Sequence, residues 1–123
     1  MFEVSVEETF AAGHALRGYR GKCENPHGHN YKVRVTLAGE VLDSLGLLYD
    51  FKDLKAVMNE LIDRFDHQFL NDIEPFRQQN PSAENMARYI YQQVAEGLKV
   101  REGVRIALVK LWETDTAYAT YRQ

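Results

Sequence analysis

Four histidines occur in the chain, at positions 14, 27, 29 and 67, and two of them form the run His27-Gly28-His29. Side chains two apart in a strand share a face, so both imidazoles can point at one ion. His14 ends an earlier alternating segment, and if the two segments pair as a hairpin it reaches the same point. Three neutral imidazoles suit zinc and leave a fourth position for water or substrate, the make-up of a catalytic rather than a structural centre. By itself the run is short enough to be chance or a core pair.

The neighbouring residues add weight. Cys23, the only thiol, lies four residues before His27 in a loop of turn-formers, Glu24-Asn25-Pro26. It is either a fourth ligand that closes the site or a free thiolate held nearby as a base, and spacing leaves both open. Asp66-His67 is a second pair. Neighbours on a helix diverge by about 100°, so this carboxylate orients this imidazole only where the backbone is irregular, as at a helix end. The plainer alternative is an imidazole that sits well against a helix C-terminus. Glu113, after Trp112, is either a site carboxylate or an exposed strand end.

The elements that must position these residues follow from apolar spacing. Phe2, Val4, Val6 and Phe10 predict a strand over about 2–13, with His14 at its end. Tyr31, Val33, Val35 and Leu37 alternate with polar residues, a second strand from His29 to about Ala38 with one wet face. Leu47–Tyr49 reads as a short returning strand. Asp50 is a good N-cap for the stripe Phe51, Leu54, Val57, Met58, Leu61, Ile62, Phe65, and Ser82 for a helix with Met86, Ile90 and Val94 that ends near Gly97. Val104–Trp112 and Ala117–Tyr121 close the chain as strands. Without βαβ alternation this order predicts an α+β fold, a four-stranded antiparallel sheet with two helices on one face. Val104–Trp112 is apolar on both parities, which predicts that the helix-free face is buried too, by a homo-oligomer.

Composition narrows the function classes. At 123 residues, 45% apolar and 27% charged, with 3 prolines and 8 glycines, the chain is one ordinary globular domain spanning 1–123. Its formal charge of -3 argues against a general nucleic-acid binder. No apolar run is long enough to span a membrane, no signal peptide opens the chain, and the lone cysteine fits a reducing cytoplasm.

Taken together, the segments Phe10-Ala11-Ala12-Gly13-His14, Cys23-xxx-His27-Gly28-His29-Asn30-Tyr31, Asp50-Phe51, Phe65-Asp66-His67-xx-Leu70-Asn71-Asp72, Asn80-Pro81-Ser82-xx-Asn85 and Glu113-Thr114 resemble the 6-pyruvoyltetrahydropterin synthase and 6-carboxytetrahydropterin synthase family. The resemblance covers nearly the whole chain. It implies a tunnelling fold, in which subunits pool antiparallel sheets into a barrel with a pterin pocket at a subunit interface. It implies His14, His27 and His29 as zinc ligands, Cys23 as the catalytic thiol, Asp66 and His67 as a proton relay, and Glu113 as the pterin anchor.

The three-residue gap from Cys23 to His27 and the ending Glu113-Thr114-Asp115-Thr116-Ala117 look like the bacterial carboxy branch of queuosine precursor synthesis. That branch converts 7,8-dihydroneopterin triphosphate to 6-carboxytetrahydropterin with loss of acetaldehyde and triphosphate. Arg17, Arg20 and Lys22 flank the cysteine loop and are either triphosphate contacts or a solvated loop. Two rival readings use the same residues: 6-pyruvoyltetrahydropterin synthesis, which keeps the side chain, and a zinc-bound assembly module without turnover, in which Cys23 closes the site.

Overall fold

A computed structural model describes the whole backbone, residues 1–123, and every side chain except that of Cys23. The first alternating segment is β1 (Phe2–His14) and the second is β2 (His27–Gly39). They pair antiparallel without interruption from Phe2 opposite Gly39 to His14 opposite His27. β2 therefore starts two residues before its expected first residue, because His27 and Gly28 still find partners on β1. Further along come α1 (Phe51–Phe65), β3 (Gln68–Phe69), α2 (Ala83–Gly97), β4 (Arg105–Thr114) and β5 (Ala117–Tyr121). No helix among the described residues is long and apolar enough to cross a membrane.

Both helices begin where a side chain satisfies an amide that has no partner inside the helix. Asp50 accepts the Lys52 N–H at 2.8 Å and Ser82 accepts that of Asn85 at 3.1 Å. α1 buries Leu54, Met58, Leu61, Ile62 and Phe65, whereas Phe51, at the head of the expected stripe, is exposed. α2 buries Met86, Ala87, Ile90, Tyr91 and Val94. The helices meet at Gly97, where a Cβ would stand 2.8 Å from Val57 Cγ1, so a side chain there would push them apart. Their apolar sides share one core with Val6, Phe10, Tyr31, Val33, Val35, Leu37, Val109 and Leu111, which occupy a single face of the sheet. Burial of each such side chain contributes about 1.5–3 kcal/mol, and that core holds the strand ends on which the histidines sit.

Three expectations about the sheet need correction. It has five strands, in the order β3-β1-β2-β4-β5, and it is mixed, because β3 pairs parallel with β1 through Ala12–Gln68 and Gly13–Phe69. The expected strand at Leu47–Tyr49 is absent. Leu48 and Tyr49 are buried there, but Asp43 closes a turn instead, its carboxylate accepting from the Leu45 and Leu47 amides.

The helix-free face is also not the apolar surface expected from β4. The register slips between Thr36–Leu108 and Leu37–Ile106, leaving Ala107 over as a bulge. Parity inverts at that point, so Ile106 from one parity and Val109 and Leu111 from the other all enter the same core. The open face carries a Glu7–Arg34 ion pair at 2.7 Å, and Lys32 stands 4.3 Å above the ring of Trp112. The bulge thus explains how Ile106 joins the core, while Leu108, opposite Thr36, and Trp112, opposite Lys32, are the apolar residues that β4 leaves on this face.

Candidate metal centre

The pairing of β1 with β2 brings three imidazoles together. His14 lies directly opposite His27, and His29 follows two residues later on the same face. Their ring centroids are 4.5–5.0 Å apart, and one ligand atom from each lies within 4.8 Å of the others. His14 is only 1% exposed. Its Nδ1 is 2.7 Å from the Pro81 carbonyl, and the Nδ1 of His27 is 2.7 Å from that of Asn25. A carbonyl only accepts, so each Nδ1 carries the proton and each Nε2 presents a lone pair.

Those two Nε2 atoms stand 2.9 Å apart, and the Nε2 of His29 is buried with no hydrogen-bond partner among the described residues. Burial holds the pKa of His14 below the ordinary imidazole value, against the Pro81 carbonyl and Glu113, which raise it. Burial lowers that of His29 too, against Glu113. Neutral rings with converging lone pairs, two of them oriented by carbonyls behind, are the donor set a divalent transition metal takes. The residues present therefore fit the zinc that the resemblance implies.

Glu113 joins this group. Leu111 lies opposite Val33 and faces the core, so Glu113, two residues on, faces the same way. Its carboxylate oxygens are 3.9 Å from His14 Nε2 and 3.9 Å from His29 Nε2. Tyr31 lies beneath, fully buried, its ring 5.4 Å from that of His29 and 5.9 Å from that of His14. Its hydroxyl is buried without a partner, and burial, then Glu113, pushes its pKa well up, so it stays a phenol. The sequence reading gave Tyr31 only a strand position, though its parity relative to His29 already placed it on the site face.

Asp66 and His67 form the expected pair, but elsewhere. His67 adopts φ 60°, the left-handed region rare for a residue with a side chain. That irregular backbone lets Asp66 Oδ1 reach His67 Nδ1 at 3.0 Å, as the sequence argument required. Asp66 also accepts the Ala11 N–H at 3.0 Å, which docks the pair on the outer edge of β1. His67 is 81% exposed. It lines a hollow with Ala11, Ala12, Gly13, Gly28, His29 and Asn30. No hydrogen bond or ion pair joins it to the three histidines among the described residues.

The expectation for the Cys23 thiol lies outside the described side chains; the backbone there forms a short 3-10 turn, Lys22–Glu24, leading into β2. Arg17, expected as a triphosphate contact or as part of a solvated loop, lies exposed in a turn. Its guanidinium donates to the carbonyls of Asn71 at 3.3 Å, Phe76 at 2.7 Å and Gln79 at 3.3 Å. Arg20 and Lys22 are exposed.

Comparison with known proteins agrees with this arrangement. The family described as 6-pyruvoyl tetrahydropterin synthase matches residues 3–123. The chain is 33% identical over 148 residues to the 6-carboxy-5,6,7,8-tetrahydropterin synthase of Haemophilus influenzae, covering 100% of both chains. Against the Bacillus subtilis protein of the same name it is 35% identical over 127 residues, covering 98% of this chain and 85% of that one. It is 41% identical over 134 residues to the 6-pyruvoyl tetrahydrobiopterin synthase of Homo sapiens, covering 98% of this chain and 90% of that one. The solved structure of Caenorhabditis elegans 6-pyruvoyl tetrahydropterin synthase shares the fold, with a TM-score of 0.87 at 31% identity, covering 100% of this chain and 97% of that one.

Proposed function

The chain belongs to the 6-pyruvoyl tetrahydropterin synthase family, and from that premise we propose that it is a zinc-dependent carbon-carbon lyase. Its substrates are 7,8-dihydroneopterin triphosphate and water. Its products are 6-carboxy-5,6,7,8-tetrahydropterin, acetaldehyde and triphosphate, a cytoplasmic step toward queuosine. The observation that carries this reading is the convergence of the His14, His27 and His29 lone pairs beside the Glu113 carboxylate.

Zinc held by the three Nε2 atoms would supply Lewis-acid polarisation of the substrate's side-chain hydroxyls. Glu113 accepts two parallel hydrogen bonds from the amino and ring N–H groups of the pterin, stronger than a neutral acceptor could offer. Cys23, as thiolate, removes a proton from the side-chain carbon. His67, oriented by Asp66, passes protons during tautomerisation and bond cleavage, since an imidazole can donate from one ring nitrogen and accept at the other.

His67 is exposed, and no hydrogen bond or ion pair joins it to the triad of its own chain among the described residues, which supports a site completed by a neighbouring subunit. The outer edge of β1 is paired only at Ala12 and Gly13, and β5 ends the other side of the sheet. Free edges of this kind favour strand pairing between subunits into a homo-oligomeric barrel.

The 41% identity to the human enzyme favours one second reading, the pyruvoyl product. Incubation with 7,8-dihydroneopterin triphosphate, followed by product mass and an acetaldehyde assay, decides between them. Acetaldehyde with the carboxy product supports the lyase. A product that keeps all side-chain carbons supports the pyruvoyl synthase.

A further inference from the structure

Past His14 the ladder of β1 ends, yet the backbone of Ala15 and Arg17 still needs partners. Two asparagine side chains supply them. Asn71 Oδ1 accepts the Ala15 N–H at 2.9 Å and its Nδ2 donates to the Ala15 carbonyl at 2.9 Å. Asn80 does the same for Arg17, accepting at 2.8 Å and donating at 3.0 Å. Each amide satisfies both backbone groups of one residue, as a neighbouring strand would.

The clamp extends into the loop that faces His14. The Arg17 guanidinium gathers three carbonyls of residues 71, 76 and 79, and Asn85 Nδ2 donates to the Asn80 carbonyl at 2.9 Å. Pro81 is thus fixed from both sides, between the clamped Asn80 and Ser82, the cap of α2. Its buried carbonyl is the group that accepts from His14 Nδ1 at 2.7 Å.

We propose that Arg17, Asn71, Asn80 and Asn85 are positioning residues of the metal centre, which hold the Pro81 carbonyl behind His14 and so fix the tautomer and ring orientation that His14 offers to a metal. The inference rests on the metal-binding reading of the three histidines. Residue type follows from the role, since a carboxamide presents a donor and an acceptor side by side on separate atoms, matched to the N–H and C=O of one residue. An aspartate at position 80 would keep the bond to the Arg17 N–H and set an anionic oxygen against the Arg17 carbonyl.

The test compares Asn80→Asp with a core variant, Ile90→Val, that lowers the melting temperature without touching the clamp. Zinc affinity is measured by chelator competition, and the His14 Nδ1–H resonance is followed by NMR in metal-free protein. Loss of a partner that orients a ligand weakens metal binding by about 10–100-fold. Asn80→Asp should show that weakening together with a shifted or exchange-broadened His14 resonance, while Ile90→Val leaves both as in the wild type. Unchanged affinity and resonance in Asn80→Asp, or the same losses in Ile90→Val, would overturn the proposal. A wild-type chain that binds no zinc overturns the metal reading instead, and the His14 resonance then decides the clamp by itself.

Discussion

His14 Nε2 and His27 Nε2 face each other at 2.9 Å while each ring donates from Nδ1 to a carbonyl behind it, so that neutral rings meet there lone pair to lone pair. Two opposed lone pairs at that distance repel, and a shared cation relieves the repulsion. The unpartnered His29 Nε2 completes the set.

Zinc should therefore stabilise the fold. A ligand that binds only the native state at one hundred times its dissociation constant adds about 2.7 kcal/mol, which denaturant titration with and without zinc would read. His27 is half-buried and contributes little to the core, so His27→Ala should keep wild-type secondary structure by circular dichroism and lose the zinc-dependent gain. Retention of stoichiometric zinc in that variant would refute the ligand assignment.

Cys23 separates an open centre from a closed one. Cys23→Ala should retain zinc and lose turnover, since the thiolate is proposed as a base and three imidazoles hold the metal. Cobalt substitution provides the independent readout: a thiolate ligand gives an intense charge-transfer band, and its appearance in the wild type would make Cys23 a fourth ligand.

The histidine cluster was legible in the sequence because strand parity is rigid: residues two apart share a face, and a hairpin returns His27 to His14. The caps Asp50 and Ser82 were legible for a similar reason, each preceding a stripe of period three to four. What escaped depends on partners distant in the chain. β3 is two residues long and exists only because β1 offers an edge at Ala12 and Gly13. The bulge at Ala107 inverts parity with no residue type to announce it. Leu48 and Tyr49 are apolar because they are buried, and apolarity does not say whether a ladder accompanies burial. Arg17 read as a phosphate contact or part of a solvated loop, and Asn71 and Asn80 entered only through the family resemblance; only tertiary structure shows all three bonded to the main chain. Adjacency joined Asp66 to His67 correctly but could not reveal that the pair docks on the outer edge of β1 through the Ala11 N–H.

Asp66 gives a pH dependence with a definite sign. The Ala11 N–H holds its carboxyl below the usual carboxylate range, against partial desolvation, with further help from His67. Its folded pKa thus lies below the unfolded value of about 3.9, and between the two the unfolded chain binds more protons. The stabilisation is complete above about pH 4 and is lost as pH falls through the folded value. Asp66→Asn keeps an oxygen for Ala11 but has no charge to lose. Its urea midpoint should fall below that of the wild type at pH 6, and the gap should close in acid. A gap constant from pH 6 to pH 3 would exclude the carboxylate as its source.

The exposure of His67, with no hydrogen bond or ion pair to the histidine triad among the described residues, makes the strongest prediction about assembly. If a neighbouring subunit supplies His67, a site needs its three histidines from one chain and its relay from another. His27→Ala and His67→Ala should each be inactive alone, and co-expression should restore activity. In randomly mixed closed oligomers, half of the triads are intact and half of the neighbouring relays are intact, so about a quarter of the sites carry both. Sites built within single chains would gain nothing, since every chain lacks one part. Activity near a quarter of wild type in the mixed oligomers supports the shared site. Absence of recovery, in mixtures shown by mass spectrometry to contain both chains in one oligomer, would return the relay to its own subunit and leave the exposed face of His67 without a catalytic role.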